Sequence, residues 1–264
     1  MNSRVGIVVP TLGKRPDYLI QCLESISKAT AKGQSPFVTI VAPKSFDPSK
    51  YMDAGLVNKV VDDPGTGLPG AINVGISSMP EGIKYVNWLG DDDLLAEGSL
   101  DLTHAFLDQN PKTVLVFGAC DYVDPKGEIL WTNKSGPFAV PLLRFGPDLI
   151  PQPGALFRRE SFNLVGGLNP SYNWAFDFDL LIKLGKIGKL SYLPRTLASF
   201  RWHPESLSVE FRKMSVSEAS KVRVSHLPRI LRLISFAWEY PVSQLTLIAG
   251  NRVTARARKT SKDK

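Results

Sequence analysis

The sequence VNWLGDDDLLAEGSL, residues 86–100, contains the pattern that decides the fold. Its first apolar residues predict a buried strand, and three consecutive aspartates, 91–93, follow where that strand ends. Adjacent carboxylates repel one another unless a positive charge lies between them. Mg²⁺ and Mn²⁺ prefer carboxylate oxygens and commonly bridge to phosphates, and open α/β sheets bind ligands at the carboxyl ends of strands. We therefore interpret this stretch as a site for a divalent metal and a diphosphate; the alternative is an acidic turn that caps the next helix.

The chain on either side of this stretch alternates predicted strands with predicted helices. This order favours an α/β fold with a Rossmann-like, mostly parallel sheet flanked by helices. Residues 133–153 are rich in Pro and Gly and are predicted to form a loop over the site. The predicted strands are 5–9, 37–41, 59–61, 83–89, 113–118, 155–158, 190–193 and 197–201, and the predicted helices begin near Pro16, Pro69, Ser99, Arg159 and Phe176.

The composition is that of a globular protein. The chain has 264 residues, of which 43% are hydrophobic and 22% are charged. Cys22 and Cys120 lack the spacing of a zinc site and favour a reducing compartment. The early first strand argues against a signal peptide, and no uncharged run reaches membrane-spanning length, so we expect a cytoplasmic protein.

The net charge of +7 is concentrated near the C-terminus. Residues 201–264 contain 13 Lys and Arg against 5 Asp and Glu, whereas residues 1–200 are nearly neutral. This distribution argues against a nucleic-acid-binding core. Apolar residues between Leu227 and Trp238, followed by a basic end, are typical of a segment that binds an anionic membrane surface. We expect residues 227–264 to contact the inner face of the membrane; the alternative is a helix packed on the domain or against a second copy.

A second acidic motif, WAFDFDL at residues 174–180, places two aspartates among aromatic residues. On a helix, Asp177 and Asp179 point roughly 200° apart and should not share a role. Burial beside aromatic rings raises the pKa of a carboxyl group and suits a general base, while the other aspartate would cap the helix or pair with a base. The alternative is that both are structural. His203, in the sequence RWHP, is a candidate metal ligand or diphosphate contact, or a structural histidine.

Four segments, in this order, resemble family 2 glycosyltransferases of the inverting, nucleotide-sugar-dependent GT-A type. The resemblance covers about four fifths of the chain, residues 4–208. The segments are VGIVVPTLGKRPDYLIQCLESI at 5–26, DDPGTGLPGAINVGI at 62–76, VNWLGDDDLLAEGSL at 86–100, and PQPGALFRRESFNLVGGLNPSYNWAFDFDLLIKL at 151–184 followed by SFRWHPESLS at 199–208.

The resemblance implies a role for each matching residue. Asp177 is the expected general base, and Asp92 and His203 are the expected ligands of Mn²⁺ or Mg²⁺. The expected contacts to the nucleotide-sugar donor are Pro10, Thr11, Arg15, Asp63, Gly70, Asn73 and Asp91.

The implied activity is transfer of a sugar to a hydroxyl group of a glycan or lipid-linked acceptor in cell-envelope or polysaccharide synthesis. The sequence departs from the family pattern in four places, one of which is Ile72, where an Arg is common. Gly90 stands where the first Asp of the Asp-x-Asp motif is expected, residues 42–44 lack the acids that hold the base, and Phe176 replaces a Glu. One alternative is therefore a degenerate sugar-nucleotide or glycan-binding protein. The other is a nucleotidyltransferase, although PTLGKRPD is a poor match to its Gly-rich loop.

The chain is predicted to divide after residue 208. Residues 1–208 form the GT-A domain in this interpretation, and residues 209–264 form a helical extension with a basic, disordered tail. Peripheral attachment to the inner face of the membrane would follow from this extension.

Overall fold

The structure is a computed structural model that describes residues 3–30, 35–202 and 212–262. Within these residues nine strands form one sheet, in the order β3-β2-β1-β4-β8-β6-β9-β5, and β7 pairs with β6. The strands are β1 (Val5–Pro10), β2 (Phe37–Ala42), β3 (Lys59–Asp62), β4 (Tyr85–Trp88), β5 (Leu94–Leu95), β6 (Thr113–Val123), β7 (Ile129–Asn133), β8 (Leu156–Arg158) and β9 (Lys189–Arg201).

The helices connect these strands and extend the chain beyond the sheet. In the described residues they are α1 (Pro16–Lys28), α2 (Ser49–Asp53), α3 (Gly67–Ser77), α4 (Ser99–Gln109), α5 (Gly136–Leu142), α6 (Arg159–Leu164), α7 (Phe176–Ile187), α8 (Arg212–His226), α9 (Arg229–Ile234) and α10 (Phe236–Lys262).

The predicted α/β fold with a mostly parallel sheet is confirmed. β1, β2, β3 and β4 pair in parallel, as do β6 and β9, while the short strands β5, β7 and β8 pair antiparallel to their neighbours. The parallel strands are apolar over most of their length because helices cover both faces of the sheet. As a result, the turns that follow β1 and β4 lie side by side at one edge.

Two apolar clusters fill the space between the sheet and its helices. One contains Leu19, Leu23 and Ile26, which recur along α1 at helical spacing and are fully buried. The other contains buried residues of α3 and α7, such as Ile72 and Leu180. The predicted helical periodicity therefore matches the faces that the core buries.

Three local features differ from the sequence prediction. Residues 133–153 contain the helix α5, which begins where the Asn133 side chain accepts hydrogen bonds from the Ser135 amide and hydroxyl. The two strands predicted in 190–201 are one strand, β9, with irregular pairing to β6. The C-terminal tail, predicted to be disordered, is helical as far as Lys262.

The C-terminal helices pack on the domain. Arg223 and Glu239 form a buried ion pair between α8 and α10, with 2.8 Å between Nη2 and Oε2. Val222 of α8 joins the apolar cluster that contains α7. Among the described residues, the structure contains no helix both long and apolar enough to cross a bilayer.

Candidate active site

The first carboxylate centre consists of Thr11, Arg15, Asp91 and Asp92. Thr11 follows β1 and Asp91 follows β4, and because these strands are parallel neighbours the two side chains meet. The Thr11 hydroxyl donates to Asp91 Oδ2 over 2.6 Å. The Arg15 guanidinium lies 3.3 Å from Asp91 Oδ1 and 2.6 Å from Asp92 Oδ2. One positive group therefore contacts both carboxylates, as the repulsion between adjacent aspartates requires.

Asp93, the third aspartate, faces the protein interior instead. Its Oδ1 accepts a hydrogen bond from the Arg201 backbone amide over 3.0 Å. Burial, followed by the charge of Asp92, raises the pKa of Asp93 well above its ordinary value. The Arg201 guanidinium, itself buried, is held by the Asp92 carbonyl and by Gln21. The sequence interpretation gave roles to Asp91 and Asp92 and none to Asp93, and it missed Arg201, because the end of a strand does not indicate which carboxylate turns inward.

The first carboxylate centre suits a divalent cation that is bound by one or two carboxylates together with substrate phosphates. In the part of the chain that the structure describes, no three His, Cys, Asp or Glu side chains are grouped as metal ligands. Mg²⁺, however, is often bound through one or two carboxylates together with substrate phosphates. Asp91 and Asp92 converge closely enough to share the Arg15 guanidinium, and the same two carboxylates are able to share one cation. His203, the second predicted ligand, lies outside the described residues.

The other residues predicted to bind the donor have structural contacts. Asn73 donates from Nδ2 to the Leu168 carbonyl over 2.8 Å and accepts from the Leu168 amide over 3.0 Å, so its amide ties α3 to the segment before α7. Asp63 accepts from the Gly65 amide in a local turn. Gly70 is buried where a Cβ would collide with Thr66, and Pro10 ends β1 beside Val41. The structure thus brings Thr11, Arg15, Asp91 and Asp92 together, whereas Asn73 serves the backbone of another segment.

The second carboxylate centre consists of Asp148, Asp177 and Glu218. Asp177 lies in the first turn of α7, partly buried, and accepts from the Phe178 amide over 2.8 Å. Burial raises the pKa of Asp177 to about 6, and the charge of Glu218 acts in the same direction. Burial and then the charge of Asp177 raise the pKa of Asp148 well above its ordinary value. A carboxyl group with a pKa near neutrality is able both to take up and to release a proton at physiological pH.

Asp179 on the same helix has a different environment. Its two oxygens contact Lys183 Nζ at 2.6 Å and His226 Nε2 at 2.7 Å. Burial opposes ionisation, but the hydrogen bonds from His226 and Lys183 outweigh it and hold the pKa of Asp179 below its ordinary value. The two aspartates of the WAFDFDL motif therefore have distinct surroundings, and Asp179 is the one that forms ion pairs.

Tyr122 on β6 lies within electrostatic reach of both regions. Burial raises the pKa of its hydroxyl above the usual value, and the charges of Cys120, Asp93 and Asp148 add to this effect. Asp93 follows the first carboxylate centre in sequence and Asp148 belongs to the second, so acids from both regions act on the Tyr122 hydroxyl.

Sequence reasoning missed Asp148 and Glu218. Asp148 comes from the segment after α5, and Glu218 comes from α8, beyond the part of the chain that carried the resemblance. Both are separated from Asp177 by dozens of residues and belong to no motif, so no spacing pattern pointed to them. Glu218 is one of four acidic residues in the basic extension, so its position there did not single it out.

Comparison with known sequences finds weak relatives. The chain matches no profile of a known protein family. It is 26% identical over 149 residues, 53% of this chain, to an uncharacterized glycosyltransferase from Rickettsia conorii, and a second one from Rickettsia felis matches equally. The match covers 24% of each relative, so the chain aligns with about a quarter of their length.

Comparison with solved structures finds extensive likeness of fold. TarS 1-349 from S. aureus, in complex with UDP-GlcNAc, superposes with a TM-score of 0.64 at 14% identity, over 87% of this chain and 69% of the TarS 1-349 chain. The mannosyltransferase PcManGT from Pyrobaculum calidifontis, in complex with GDP-Man and Mn²⁺, gives 0.62 at 14% identity, over 98% of this chain and 79% of PcManGT. The chain therefore has the fold of these proteins.

Proposed function

We propose that the protein is an inverting glycosyltransferase of the GT-A type, family 2, which transfers a sugar from a nucleotide diphosphate sugar to an acceptor hydroxyl group. The observation that carries this proposal is Asp177, a partly buried carboxyl group with a pKa of about 6, in a chain that also has a charged centre suited to a diphosphate. Two proteins of the same fold were solved with UDP-GlcNAc and with GDP-Man and Mn²⁺, and the weak sequence relatives carry the name glycosyltransferase.

In this proposal the first carboxylate centre binds the donor diphosphate. Arg15 donates hydrogen bonds to phosphate oxygens, for which a guanidinium is well shaped. Asp92 and His203 are the residues that would hold a divalent cation, and Asp91 would contact the donor. When bound, Mn²⁺ or Mg²⁺ offsets negative charge on the diphosphate. Thr11 fixes Asp91 through its 2.6 Å hydrogen bond, and Pro10, Asp63, Gly70 and Asn73 shape the rest of the donor site.

Asp177 then acts as the general base. Its carboxylate takes the proton from the acceptor hydroxyl, and the acceptor oxygen forms a bond to the anomeric carbon of the sugar. The bond from that carbon to the phosphate oxygen breaks, and its electron pair leaves with the nucleoside diphosphate. Because there is one displacement and no covalent intermediate, the configuration at the anomeric carbon inverts. Arg15 stabilises the charge that builds on the leaving group.

Donor binding is tested with UDP, GDP and dTDP in the presence of Mn²⁺, measured as a thermal shift and by calorimetry. We expect one nucleoside diphosphate to bind, and we expect Arg15→Ala to weaken that binding about tenfold or more, since a charge-assisted hydrogen bond is lost. Lys14→Ala removes a neighbouring positive charge that is exposed and should leave the affinity unchanged. A folded protein that binds none of the three would contradict the proposal.

The acceptor in this proposal is a glycan or a lipid-linked glycan in cell-envelope or polysaccharide synthesis, reached at an anionic membrane surface by residues 227–264. α9 and the start of α10 expose an apolar ridge, in which Ile230 is 77% exposed, Leu233 79% and Phe236 74%. Such contiguous exposure marks an interaction site rather than an ordinary surface.

Positive charge surrounds this apolar ridge. Arg232 lies on α9 itself, within electrostatic reach of Lys186 on α7. Partial burial lowers the pKa of Lys186. The positive charges of Arg144, Arg232 and Lys183 lower it further, although Asp179 acts in the opposite direction. An anionic bilayer would be attracted to this cluster, whereas a second copy related by a two-fold axis would face it with the same charges. These charges favour a peripheral protein at the inner face of the membrane over a dimer.

Co-sedimentation with vesicles tests the membrane contact. We expect binding to vesicles that contain phosphatidylglycerol and weaker binding to pure phosphatidylcholine. Replacing both Ile230 and Leu233 with Ser should reduce the bound fraction several-fold, because exposed apolar area is lost. Leu164→Ser, at a position on α6 that is 75% exposed, serves as the control. Equal binding of all variants, or formation of a dimer that the double variant abolishes, would contradict this assignment.

A further inference from the structure

The backbone just before α7 is held by a side chain from the C-terminal extension. Glu218 of α8 accepts three hydrogen bonds there: Oε1 from the Asn173 amide over 3.1 Å, and Oε2 from the Trp174 amide over 2.6 Å and the Ala175 amide over 2.8 Å. The first amides of a helix need partners from outside it, and Ala175, which precedes α7, has no side chain that could cap. Glu218 therefore holds the three residues that lead into α7, including the amide of the N-cap residue Ala175.

The same helix contacts α7 and the segment of Asp148 at further points. His226 pairs with Asp179 of α7 at 2.7 Å. Arg223 lies over the Phe178 ring at 5.7 Å and donates to the Gly146 carbonyl over 3.1 Å, two residues before Asp148. Thus Arg223 and His226 hold α7 at Phe178 and Asp179, on the C-terminal side of Asp177, while Glu218 holds the chain on its N-terminal side.

We propose that Glu218 is a positioning residue for Asp177, so that α8 forms part of the catalytic centre. It fixes the direction of the chain that enters α7 and places a negative charge beside the carboxyl group that takes the acceptor proton. This inference rests on the proposed function, in which Asp177 is the general base. It predicts that loss of Glu218 acts on the proton-transfer step rather than on donor binding.

The charged groups around Asp177 define what the loss of Glu218 should do. Asp148 faces it from the segment after α5, and Glu218 faces it from α8. Arg223 of α8 acts on Asp148, and Asp179 on α7 is already paired with Lys183 and His226. Burial, the main cause of the raised Asp177 pKa, remains without Glu218, but the negative charge of Glu218, which also raises this pKa, disappears. The pKa of Asp177 should therefore fall, and with it the pH at which the base becomes active.

The direct test is a titration of Asp177 by NMR, which needs no turnover. In full-length protein labelled with ¹³C at the aspartate carboxyl carbons, the Asp177 signal is assigned by its absence from Asp177→Asn. We expect Glu218→Gln to lower the apparent pKa of Asp177, while Glu160→Gln, at an exposed acid on α6, leaves it unchanged. An unchanged Asp177 pKa in folded Glu218→Gln would overturn the inference.

Kinetics supply the second readout. Glu218→Ala should lower kcat about tenfold to a hundredfold with little change in the donor KM, since a small displacement of the base is costly. The acid limb of the kcat profile should move to lower pH in Glu218→Gln, and Glu218→Asp should restore part of the rate lost in Glu218→Ala. An unaltered kcat in Glu218→Ala contradicts the inference. A titration that shifts in a protein that turns over no nucleotide sugar contradicts the proposed function and leaves Glu218 as a residue that acts on Asp177.

Discussion

The two carboxylate centres contain the same kinds of acid in opposite surroundings. In the first, Arg15 contacts Asp91 and Asp92 directly, at 3.3 and 2.6 Å. In the second, burial and the charge of Glu218 raise the pKa of Asp177 to about 6, and the charge of Asp177 in turn raises the pKa of Asp148. A carboxylate paired with a cation stays ionised and is suited to bind a charged ligand. A carboxyl group whose pKa is raised by burial and by a like charge is suited to exchange a proton. The contrast assigns binding to the first centre and proton transfer to the second.

α7 shows the same contrast over a single turn of helix. Asp177 lies beside acids, whereas Asp179 lies between Lys183 and His226, and the pKa values of the two move in opposite directions. The pKa of each aspartate on α7 therefore depends on the charge of its neighbours rather than on residue type alone.

The largest expected effect comes from the second carboxylate centre. Asp177→Asn removes the base while keeping its shape, and should lower kcat about 10²- to 10⁴-fold, the usual contribution of general base catalysis. Asp53→Asn, at an exposed position on α2, is the matched control. The rate of nucleoside diphosphate release measures the turnover of both variants, and their circular dichroism spectra show whether they are folded. Near-normal turnover in folded Asp177→Asn would remove Asp177 as the base.

The next effect comes from the first carboxylate centre. Asp92→Ala should lower kcat/KM about a hundredfold, because charge stabilisation at the diphosphate is lost. Treatment of the unchanged protein with EDTA should cause a comparable loss that Mn²⁺ restores, and Asp53→Ala should behave normally. If chelation has no effect while Asp92→Ala does, Asp92 acts through Arg15 and the proposed metal site is wrong.

The pH dependence separates the two centres. A general base must be ionised, so kcat should fall about tenfold per pH unit below the Asp177 pKa of about 6 and level off above it. Stopped assays between pH 4.5 and 8 measure this limb. If the rate instead fell only below about pH 4, the base would be a carboxylate whose pKa is not raised, and proton transfer would belong to a residue other than Asp177.

The smallest effect concerns Asp179. Its folded pKa is depressed, so its ion pairs stabilise the protein above the unfolded pKa of about 3.9, and this stabilisation disappears as the pH falls through the folded value. Lys183→Met should lower the free energy of unfolding at neutral pH by about 1 kcal/mol. Lys112→Met, at an exposed position, is the control. Urea unfolding of the three proteins should show a difference that shrinks towards low pH; a constant difference would mean that the pair is not its source.

Most of the sheet could be predicted from the sequence, because its strands are short apolar runs bounded by turns. β1 and β2 were predicted to within a residue, since a strand buried on both faces excludes polar residues. The first carboxylate centre could be predicted because its residues follow neighbouring parallel strands. α5 was missed because Pro137 and Pro141 suggested a loop, although Pro137 lies at the start of the helix, where proline is tolerated.

The surroundings of Asp177 could not be predicted. Its pKa depends on burial and on Glu218, which accepts a hydrogen bond from a backbone amide 43 residues away in sequence. Asp148, in the segment after α5, has its own pKa raised by Asp177. These contacts arise from the packing of α8 on α7. The apolar stripe of a helix shows in the sequence that the helix packs against something, but it does not identify the packing partner.

Release of a nucleoside diphosphate from a panel of nucleotide sugars, with Mn²⁺ or Mg²⁺ present, tests the central claim most directly. The panel pairs UDP-, GDP- and dTDP-linked sugars with the unchanged protein and with Asp177→Asn. We expect metal-dependent release from at least one donor, increased by an acceptor and nearly abolished in Asp177→Asn. Donor binding without any release, in folded protein supplied with glycan and lipid-linked acceptors, would contradict the claim and indicate a protein that binds nucleotide sugars without transferring them.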